Sequence, residues 1–296
     1  ASCMLLVEAF HDAGLPPGVI NMVCGEPAAI STALIASAPI RKVSFTGSIA
    51  VGKMLGELAA RGMKRYTAEL GGHAPVIVCA DADIESTVKL AVAAKFRNAG
   101  QVCASPIRFL VHESRHAEFR DRFVARAAAL KVGAGLDPGS EMGPLIHGRR
   151  LREMQGLVDD ALARGGRLCC GGRALAGKGN FYPPTVLEDV PAAARVRQVE
   201  PFGPIALLQA FSTLDEALAE ANGLAVGLSA YAFTRDLAVA HRLGEELEAG
   251  MVGINHFGVS QPETPFGGWK ESGIGQESGL EGLLAYTEVK LVSVAG

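Results

Sequence analysis

Predicted strands and helices alternate along most of this chain, and that order constrains the fold more than any other feature. The predicted strands cover residues 42–45, 65–70, 75–79, 107–111 and 229–233. The predicted helices cover residues 28–36, 49–61, 84–98, 114–130, 151–164, 215–221 and 237–248. Such alternation is typical of a parallel sheet whose strands are joined by helical crossovers. The sequence therefore predicts an α/β fold.

The two ends of the chain carry further predicted elements. Residues 4–12 have apolar positions at helical spacing, and the apolar run Val19–Cys24 favours a buried strand. Near the other end, 262–279 is rich in turn-forming residues, and Tyr286–Val294 favours a final strand.

Composition narrows the class of protein. With 296 residues, 49% hydrophobic and 20% charged, the chain is long and apolar enough for two globular domains. A net charge of −3 gives no reason to expect nucleic acid or an anionic membrane as a partner. The first residues lack a secretory signal pattern, and the six cysteines are sparse for a core of this size. We therefore expect a cytoplasmic protein with reduced cysteines and no metal site.

Cys103 is the candidate nucleophile, because it follows Gly100-Gln101-Val102 in a polar setting just after a predicted helix. A cysteine attacks as its thiolate, which requires a nearby base, cation or helix N-terminus. The ordinary alternative is a small buried core residue. We assign that alternative to the other cysteines, which are Cys3, Cys24, Cys79, Cys169 and Cys170.

Glu69 is the candidate general base, because it ends a predicted strand and precedes Leu70-Gly71-Gly72. The ligand crevice of a parallel sheet opens at such strand ends. A carboxyl whose pKa is raised by burial could accept a proton from water or a thiol. A solvated or ion-paired glutamate is the alternative.

Glycine-rich turns supply candidate cofactor contacts. Thr46-Gly47-Ser48 joins a predicted strand to a helix, whose first N–H groups could hold a phosphate. Glu200-Pro201-Phe202-Gly203-Pro204 and Pro265-Phe266-Gly267-Gly268 place a carboxylate and aromatic rings on stiff turns. Each segment alone could be purely structural, since the glycines do not match the dinucleotide fingerprint.

Together, in this order and spacing, these segments resemble the NAD(P)-dependent aldehyde dehydrogenase superfamily over essentially all 296 residues. The resemblance implies Cys103 as nucleophile and Glu69 as general base. It also implies that Gly25, Gly47 and Ser48 face the cofactor, that Glu200 holds the nicotinamide ribose and that Phe202 packs beside the ring. The implied reaction passes through a thiohemiacetal and a thioester on Cys103, and Glu69 activates the hydrolytic water.

The resemblance further implies the fold and its division. Residues 1–70 would be the C-terminal half of a Rossmann-like cofactor domain, and 71–270 a complete α/β catalytic domain. Residues 271–296 would return to the cofactor domain and add a C-terminal strand that pairs between subunits in a homodimer or homotetramer. The family's N-terminal portion has no counterpart here, and the choice between NAD and NADP depends on it. We therefore expect 1–70 to expose an apolar face, and the isolated chain to be inactive and prone to aggregate.

Arg97 indicates the class of substrate, because it resembles the arginine with which succinate-semialdehyde dehydrogenases bind the carboxylate of their substrate. A guanidinium binds a carboxylate bidentately. Ser260 aligns with a hydroxyl of the same pocket, so the resemblance implies an ω-oxo acid such as succinic semialdehyde. An ion pair on its own helix face is the alternative for Arg97. His73 stands where many family members carry lysine; we expect it at the surface, or else tuning Glu69.

Two other classes of function remain open at this stage. A cysteine hydrolase or acyltransferase would need a histidine partner for Cys103, and none of the seven histidines stands in an obvious motif. A catalytically inert fragment with an assembly role would use only the C-terminal strand.

Overall fold

The computed structural model describes residues 2–296, which form two compact units. The larger unit comprises Phe45–Gly52 and Thr67–Gly296. The smaller comprises Lys53–Tyr66 and the described part of Ala1–Ser44. The strands are β1 (Lys42–Thr46), β2 (Arg65–Glu69), β3 (Pro75–Val78), β4 (Arg108–His112), β5 (Arg167–Cys170), β6 (Thr185–Glu188), β7 (Ile205–Phe211), β8 (Val226–Gly227), β9 (Ser229–Phe233), β10 (Met251–Ile254), β11 (Trp269–Lys270) and β12 (Gly273–Ile274).

Helices connect most of these strands, and several begin at side chains that cap them. Asp83, Thr213 and Asp236 each accept a hydrogen bond from a backbone N–H of the first helical turn. The helices are α1 (Ser2–Asp12), α2 (Pro27–Ala36), α3 (Ile49–Arg61), α4 (Ile84–Phe96), α5 (Glu113–Ala128), α6 (Gly148–Ala163), α7 (Leu214–Asn222), α8 (Leu237–Glu246) and α9 (Gly279–Leu284).

A seven-stranded sheet organises the larger unit, in the order β10-β9-β3-β4-β7-β6-β5. All neighbouring strands in it are parallel except the edge pair β5 and β6. Because parallel strands are covered by helices on both faces, their side chains are apolar on both. Val76 and Val78 pack in one core with α4, α5 and α6, whereas Ile77 packs in a second core with α7 and α8. The α/β prediction is confirmed.

A smaller sheet holds the start of the functional site. Its order is β1-β2-β12, and β12 pairs antiparallel with β2 through Gly273 opposite Glu69. Glu69 is therefore held at the end of β2 by a paired strand. A two-stranded ribbon of β8 and β11 completes the sheets of the described chain.

Two predicted strands are not formed. Residues 19–24 make no strand, and Val19 and Val23 are exposed. Tyr286–Val294 likewise forms no strand in this single chain, and Val289 and Leu291 are almost fully exposed. A strand requires a hydrogen-bonded neighbour, and neither segment has one among the described residues. An apolar run alone therefore does not specify a strand.

The spacing also missed four strands of the large sheet: β5, β6, β7 and β10. β6 is a four-residue strand buried on both faces, so it shows no alternating pattern.

Among residues 2–296, no helix combines the length and the apolar composition that crossing a bilayer requires.

Candidate active site

Six of the predicted site residues line one cavity of about 470 Å³ in the larger unit. They are Gly47, Ser48, Glu69, Cys103, Glu200 and Phe202. These residues come from four separate stretches of sequence. The size of the cavity is in the range of small-molecule sites.

The turn from β1 into α3 forms one wall of the cavity. The N–H of Gly47 donates to the carbonyl of Glu69 at 3.0 Å, which ties this turn to the end of β2. A side chain at position 47 would overlap the ring of Phe45, so any residue larger than glycine there would require that ring to move. Ser48 then precedes α3, whose first-turn N–H groups have no acceptor within the helix. This wall offers backbone donors suited to an anionic group.

Glu69 is buried at the end of β2, with 3% of its surface exposed. Among residues 2–296, neither carboxyl oxygen of Glu69 has a hydrogen-bond partner. Burial raises the pKa of Glu69 to about 8, and the charge of Glu277 adds to the shift. The side chain is therefore a proton acceptor around neutral to alkaline pH.

Cys103 occupies a tight turn that follows an unusual stretch of backbone. Asn98, Ala99 and Gly100 have φ values of 52°, 54° and 71°, so the chain leaves α4 through three left-handed residues. Two of these are not glycine, and such strain is concentrated at functional sites. The N–H of Ser105 then donates to the carbonyl of Val102 at 3.0 Å, which closes the turn around Cys103.

Opposing effects act on the thiol. Burial raises the pKa of Cys103, and the charges of Glu200 and Glu69 raise it further. The nearby backbone N–H groups of Ala104 and Cys103 act in the other direction and lower the pKa of the thiol. The net effect keeps the thiol protonated at neutral pH, so a base must take its proton.

Glu200 faces the same cavity from the loop that precedes β7. Burial raises the pKa of Glu200 to about 7, and the backbone N–H of Gly72 and the charges of Arg150 and Lys95 oppose this shift. A side chain at position 71 would overlap the Glu200 carboxylate. Gly71 is therefore required for this carboxylate to sit where it does.

Arg150 also lines the cavity, and the sequence analysis did not identify it. Its guanidinium carbon lies 5.5 Å from the centre of the Phe202 ring, and Nη1 donates to Glu153 at 2.6 Å. An arginine in the first turn of an amphipathic helix is typically a solvated surface residue, so the local sequence pattern did not indicate that Arg150 lines a site. Only the packing of α6 against the Glu200 loop reveals its place.

Three predicted site residues do not line the cavity. Arg97 is exposed in the short turn after α4 and forms no ion pair within residues 2–296. Burial raises the pKa of Tyr231, which lies beside Cys103, to about 12, and the positive charge of Arg97 opposes this rise. Arg97 therefore acts electrostatically on a neighbour of Cys103 although it does not line the cavity. Ser260 is exposed in the loop after β10, and Gly25 is exposed in the smaller unit just before α2.

His73 is not a surface residue, contrary to expectation. It is 3% exposed, and its Nε2 lies 3.0 Å from the carbonyl of Val196. Burial, together with the charge of Arg108, lowers the pKa of His73 to about 3. The ring is therefore neutral and exerts no charge on Glu69.

Two other site classes find no support in the described chain. No histidine is among the residues lining the cavity, so a Cys–His pair of the hydrolase type is absent there. Across residues 2–296 we find no group of three or more His, Cys, Asp or Glu side chains arranged to hold a metal ion.

The sequence profile of the aldehyde dehydrogenase family matches residues 1–292. The chain belongs to the aldehyde dehydrogenase family. This membership accounts for the joint occurrence of the candidate nucleophile, the candidate base and the glycine turns around one cavity.

Relatives of this chain carry several names. A putative 4-(hydroxymethyl)benzenesulfonate dehydrogenase of Comamonas testosteroni is 48% identical over 99% of this chain and 61% of its own length. An Escherichia coli succinate-semialdehyde dehydrogenase [NADP(+)] is 42% identical over 99% of this chain and 61% of its own length. The chain thus spans about 60% of the length of these curated relatives.

A solved structure agrees with this fold. Succinate-semialdehyde dehydrogenase from Burkholderia pseudomallei superposes with a TM-score of 0.94 at 41% identity, covering 96% of this chain and 59% of that one. The predicted aldehyde dehydrogenase fold is confirmed.

Proposed function

We propose that this protein oxidises an aldehyde to a carboxylic acid with NAD or NADP, using Cys103 as nucleophile and Glu69 as base. The observation that carries the proposal is the shared cavity, in which a thiol faces a buried carboxyl without hydrogen-bond partners. Family membership supports the same reaction class.

In the proposed mechanism, the sulfur of Cys103 attacks the aldehyde carbon. Glu69 accepts the proton that the thiol loses, because its pKa near 8 suits a base at neutral to alkaline pH. The carbonyl oxygen becomes an oxyanion, and the backbone N–H of Cys103 is a donor for it. Loss of hydride from the same carbon leaves a thioester on Cys103, and Glu69 releases the thiol's proton to solvent. Glu69 then takes a proton from the water that attacks the thioester, and the C–S bond breaks to return the Cys103 thiolate.

The cavity also has features that suit a nicotinamide cofactor. Gly47 and Ser48 line the cavity and offer backbone donors at the start of α3, and the ring of Phe45 leaves little room for a side chain at position 47. We propose that these two residues, with Gly25, bind the pyrophosphate side, and that Glu200 and Phe202 hold the ribose and the ring. The nicotinamide, when bound, supplies the hydride acceptor.

We propose an aldehyde that carries an anionic group as substrate, with Arg97 and Ser260 as its anion-binding residues. An ω-oxo acid such as succinic semialdehyde is the first candidate. Arg97 supports this because it forms no ion pair within residues 2–296, which argues against the helix-face alternative, and because its charge acts on Tyr231 beside Cys103. The names of the relatives point the same way, since succinate semialdehyde and a benzenesulfonate both carry an anion.

The domain division and assembly remain proposals. We propose a cofactor part over 1–70, a catalytic part over 71–270 and an assembly segment over 271–296, in a cytoplasmic homodimer or homotetramer. The exposed apolar side chains of Val289, Leu291 and Val294 support the assembly segment, because such a row is covered in stable proteins.

The direct test is cofactor reduction by the purified chain, with succinic semialdehyde and with an uncharged aldehyde of equal length. Because the isolated chain is expected to be inactive, we expect reduction with NAD or NADP only after the chain is joined to the N-terminal portion of a family member, and we expect that reduction to disappear in C103S. If Cys103 of the joined protein is intact and alkylatable, yet neither cofactor is reduced with any aldehyde, the proposed dehydrogenase function is refuted. Size-exclusion chromatography of that inactive chain would then test the assembly alternative.

A further inference from the structure

Cys169 and Cys170 form a pair of adjacent thiols on β5, the edge strand of the seven-stranded sheet. They are the only two of the six cysteines that are neighbours in sequence. Both are half-buried and carry free thiols. The proposed dehydrogenase reaction uses neither of them, because both lie outside the cavity that contains Cys103.

A bulge in β5 places both side chains on one face of the sheet. In a regular strand, consecutive side chains point to opposite faces. The pairing of β5 with β6 shifts between Leu168 and Cys170, so Cys169 is the extra residue of the bulge. Cys170 pairs with Val186 and shares its face, and Glu188, two residues further along β6, lies on that face as well.

Contacts with Glu188 place the sulfur of Cys169 on this same face. The Cys169 thiol donates to Oε2 of Glu188 at 3.6 Å. Arg167, which lies opposite Glu188 in the ladder, contacts the same carboxylate. Consecutive Cα atoms are about 3.8 Å apart across a trans peptide, so rotation about χ1 brings both sulfurs within reach of one bridging atom.

The turn that follows β5 holds Cys170 in place. The Cys170 thiol donates to the carbonyl of Pro184 at 3.7 Å. Two residues later, the N–H of Gly172 donates to the hydroxyl of Thr185 at 3.0 Å. Gly171 has a φ of 72°, and an added side chain there would overlap the Pro184 carbonyl. Because this segment is already ordered, a ligand of the two thiols does not have to order it.

Both sulfurs are thiols rather than thiolates at neutral pH. Burial raises the pKa of Cys170 to about 11. Burial also raises the pKa of Cys169, although the charges of Arg167 and Arg120 oppose this shift. Alkylation requires a thiolate, whereas a thiol supplies the proton that a leaving hydroxide needs. The pair is therefore suited to a condensation that releases water.

Trivalent arsenic is the centre that two such sulfurs fit. Soft centres prefer sulfur ligands, but structural zinc takes four ligands from the protein. Within residues 2–296, no group of three or more His, Cys, Asp or Glu side chains is arranged to hold a metal ion. Trivalent arsenic forms three bonds, so it can bind two sulfurs and keep a substituent of its own.

We propose that Cys169 and Cys170 form a binding site for a trivalent arsenical, separate from the Cys103 cavity. In the binding step, two As–O bonds break and two As–S bonds form. The proton of each thiol leaves with the displaced oxygen as water. Neither arsenic nor sulfur changes its oxidation state, so no oxidant or reductant is required.

The test is binding of phenylarsine oxide to the phosphine-reduced chain in excess glutathione, measured by intact-protein mass spectrometry and peptide mapping. Glutathione competes for arsenic held by a single thiol, whereas a ring with two sulfurs resists it. C169S and C170S each leave one sulfur of the pair. C24S is the matched control, because it removes an exposed cysteine that has no cysteine beside it in sequence.

We expect one phenylarsenic group on wild type and on C24S, mapped to the peptide that contains both cysteines and released by 2,3-dimercaptopropanol. C169S and C170S should bind about 10²- to 10⁴-fold more weakly, because the second bond forms at a high effective concentration. The absence of an adduct on wild type, its survival in either single variant, or its location at Cys103 overturns the proposal.

A second measurement tests the contribution of the fold. A ligand that binds the native pair better than the unfolded chain raises the midpoint of thermal unfolding. We expect this rise in wild type and C24S and not in C169S. An unchanged midpoint in wild type, or equal affinity in urea, would show that adjacency in sequence suffices and would refute a site built by the bulge.

These measurements are independent of the proposed dehydrogenase function, because they need neither aldehyde nor cofactor. Should the isolated chain aggregate, the same measurements apply to the chain joined to the N-terminal portion of a family member. Arsenical binding without aldehyde oxidation would refute only the dehydrogenase function. Aldehyde oxidation without arsenical binding would refute only the dithiol site.

Discussion

Replacing Glu69 by glutamine removes the proposed base while keeping its shape. The pKa of about 8 sets the size of the effect. At pH 7 about one-tenth of the Glu69 carboxyls are ionised, and at pH 9 about nine-tenths, since one pH unit is a tenfold change in the ratio. The ionised carboxylate is the active form of the base, so kcat should rise about ninefold between these pH values.

The assay is steady-state aldehyde oxidation across this pH range for wild type and E69Q. A general base contributes about 10²- to 10⁴-fold, so E69Q should lose rate by that factor and lose the rise through pH 8. Cys103 alkylation at high pH checks that the site is intact. A slow E69Q enzyme that still shows the same rise would assign the titration to another group and refute the reasoning.

Three further predictions concern the loop before Cys103, the substrate anion and assembly. Gly100→Ala should destabilise the fold by at least about 1–2 kcal/mol, because φ at position 100 is +71° and the backbone of the loop at Gly203 leaves no room for a side chain. Gly135→Ala is the control, since the space around Gly135 is open, and thermal unfolding compares the stability of the two variants. Arg97→Ala should lower, about tenfold, the ratio of kcat/KM for succinic semialdehyde to kcat/KM for an uncharged aldehyde. Arg149→Ala, at an exposed arginine, should leave this ratio unchanged. An unchanged ratio in Arg97→Ala refutes the anion-binding role. Val289→Asp should lower the mass measured by light scattering, and an unchanged mass argues against assembly through this segment.

The local sequence pattern was sufficient to predict an element whose stabilising interactions lie within its own segment. The helix α4 has a cap at Asp83 and a regular apolar face, and its predicted start matches the structure. The run at 19–24 has apolar residues of the same kind, yet it forms no strand. A helix satisfies its hydrogen bonds within one segment, whereas a strand depends on a distant partner.

The candidate site shows the same division. Cys103, Glu69 and the turn at Gly47 and Ser48 were identified from sequence because their residue types and spacing resemble a family. Arg150 and Tyr231 were not, because an arginine on a helix and a tyrosine in a strand have many ordinary roles. Their place beside the site depends on packing between segments far apart in the chain.

The α/β class, the order of most elements and the identity of the candidate nucleophile and base could all be predicted from the sequence alone. Each of these depends on residue type and short-range spacing. The folded structure was needed to show that Glu69 is buried with no hydrogen-bond partner among residues 2–296, that His73 is a neutral core residue and that Tyr231 donates a hydrogen bond to Ala104. Burial, pKa and long-range hydrogen bonds are set by what surrounds a group in space, and neighbours in sequence do not specify that environment.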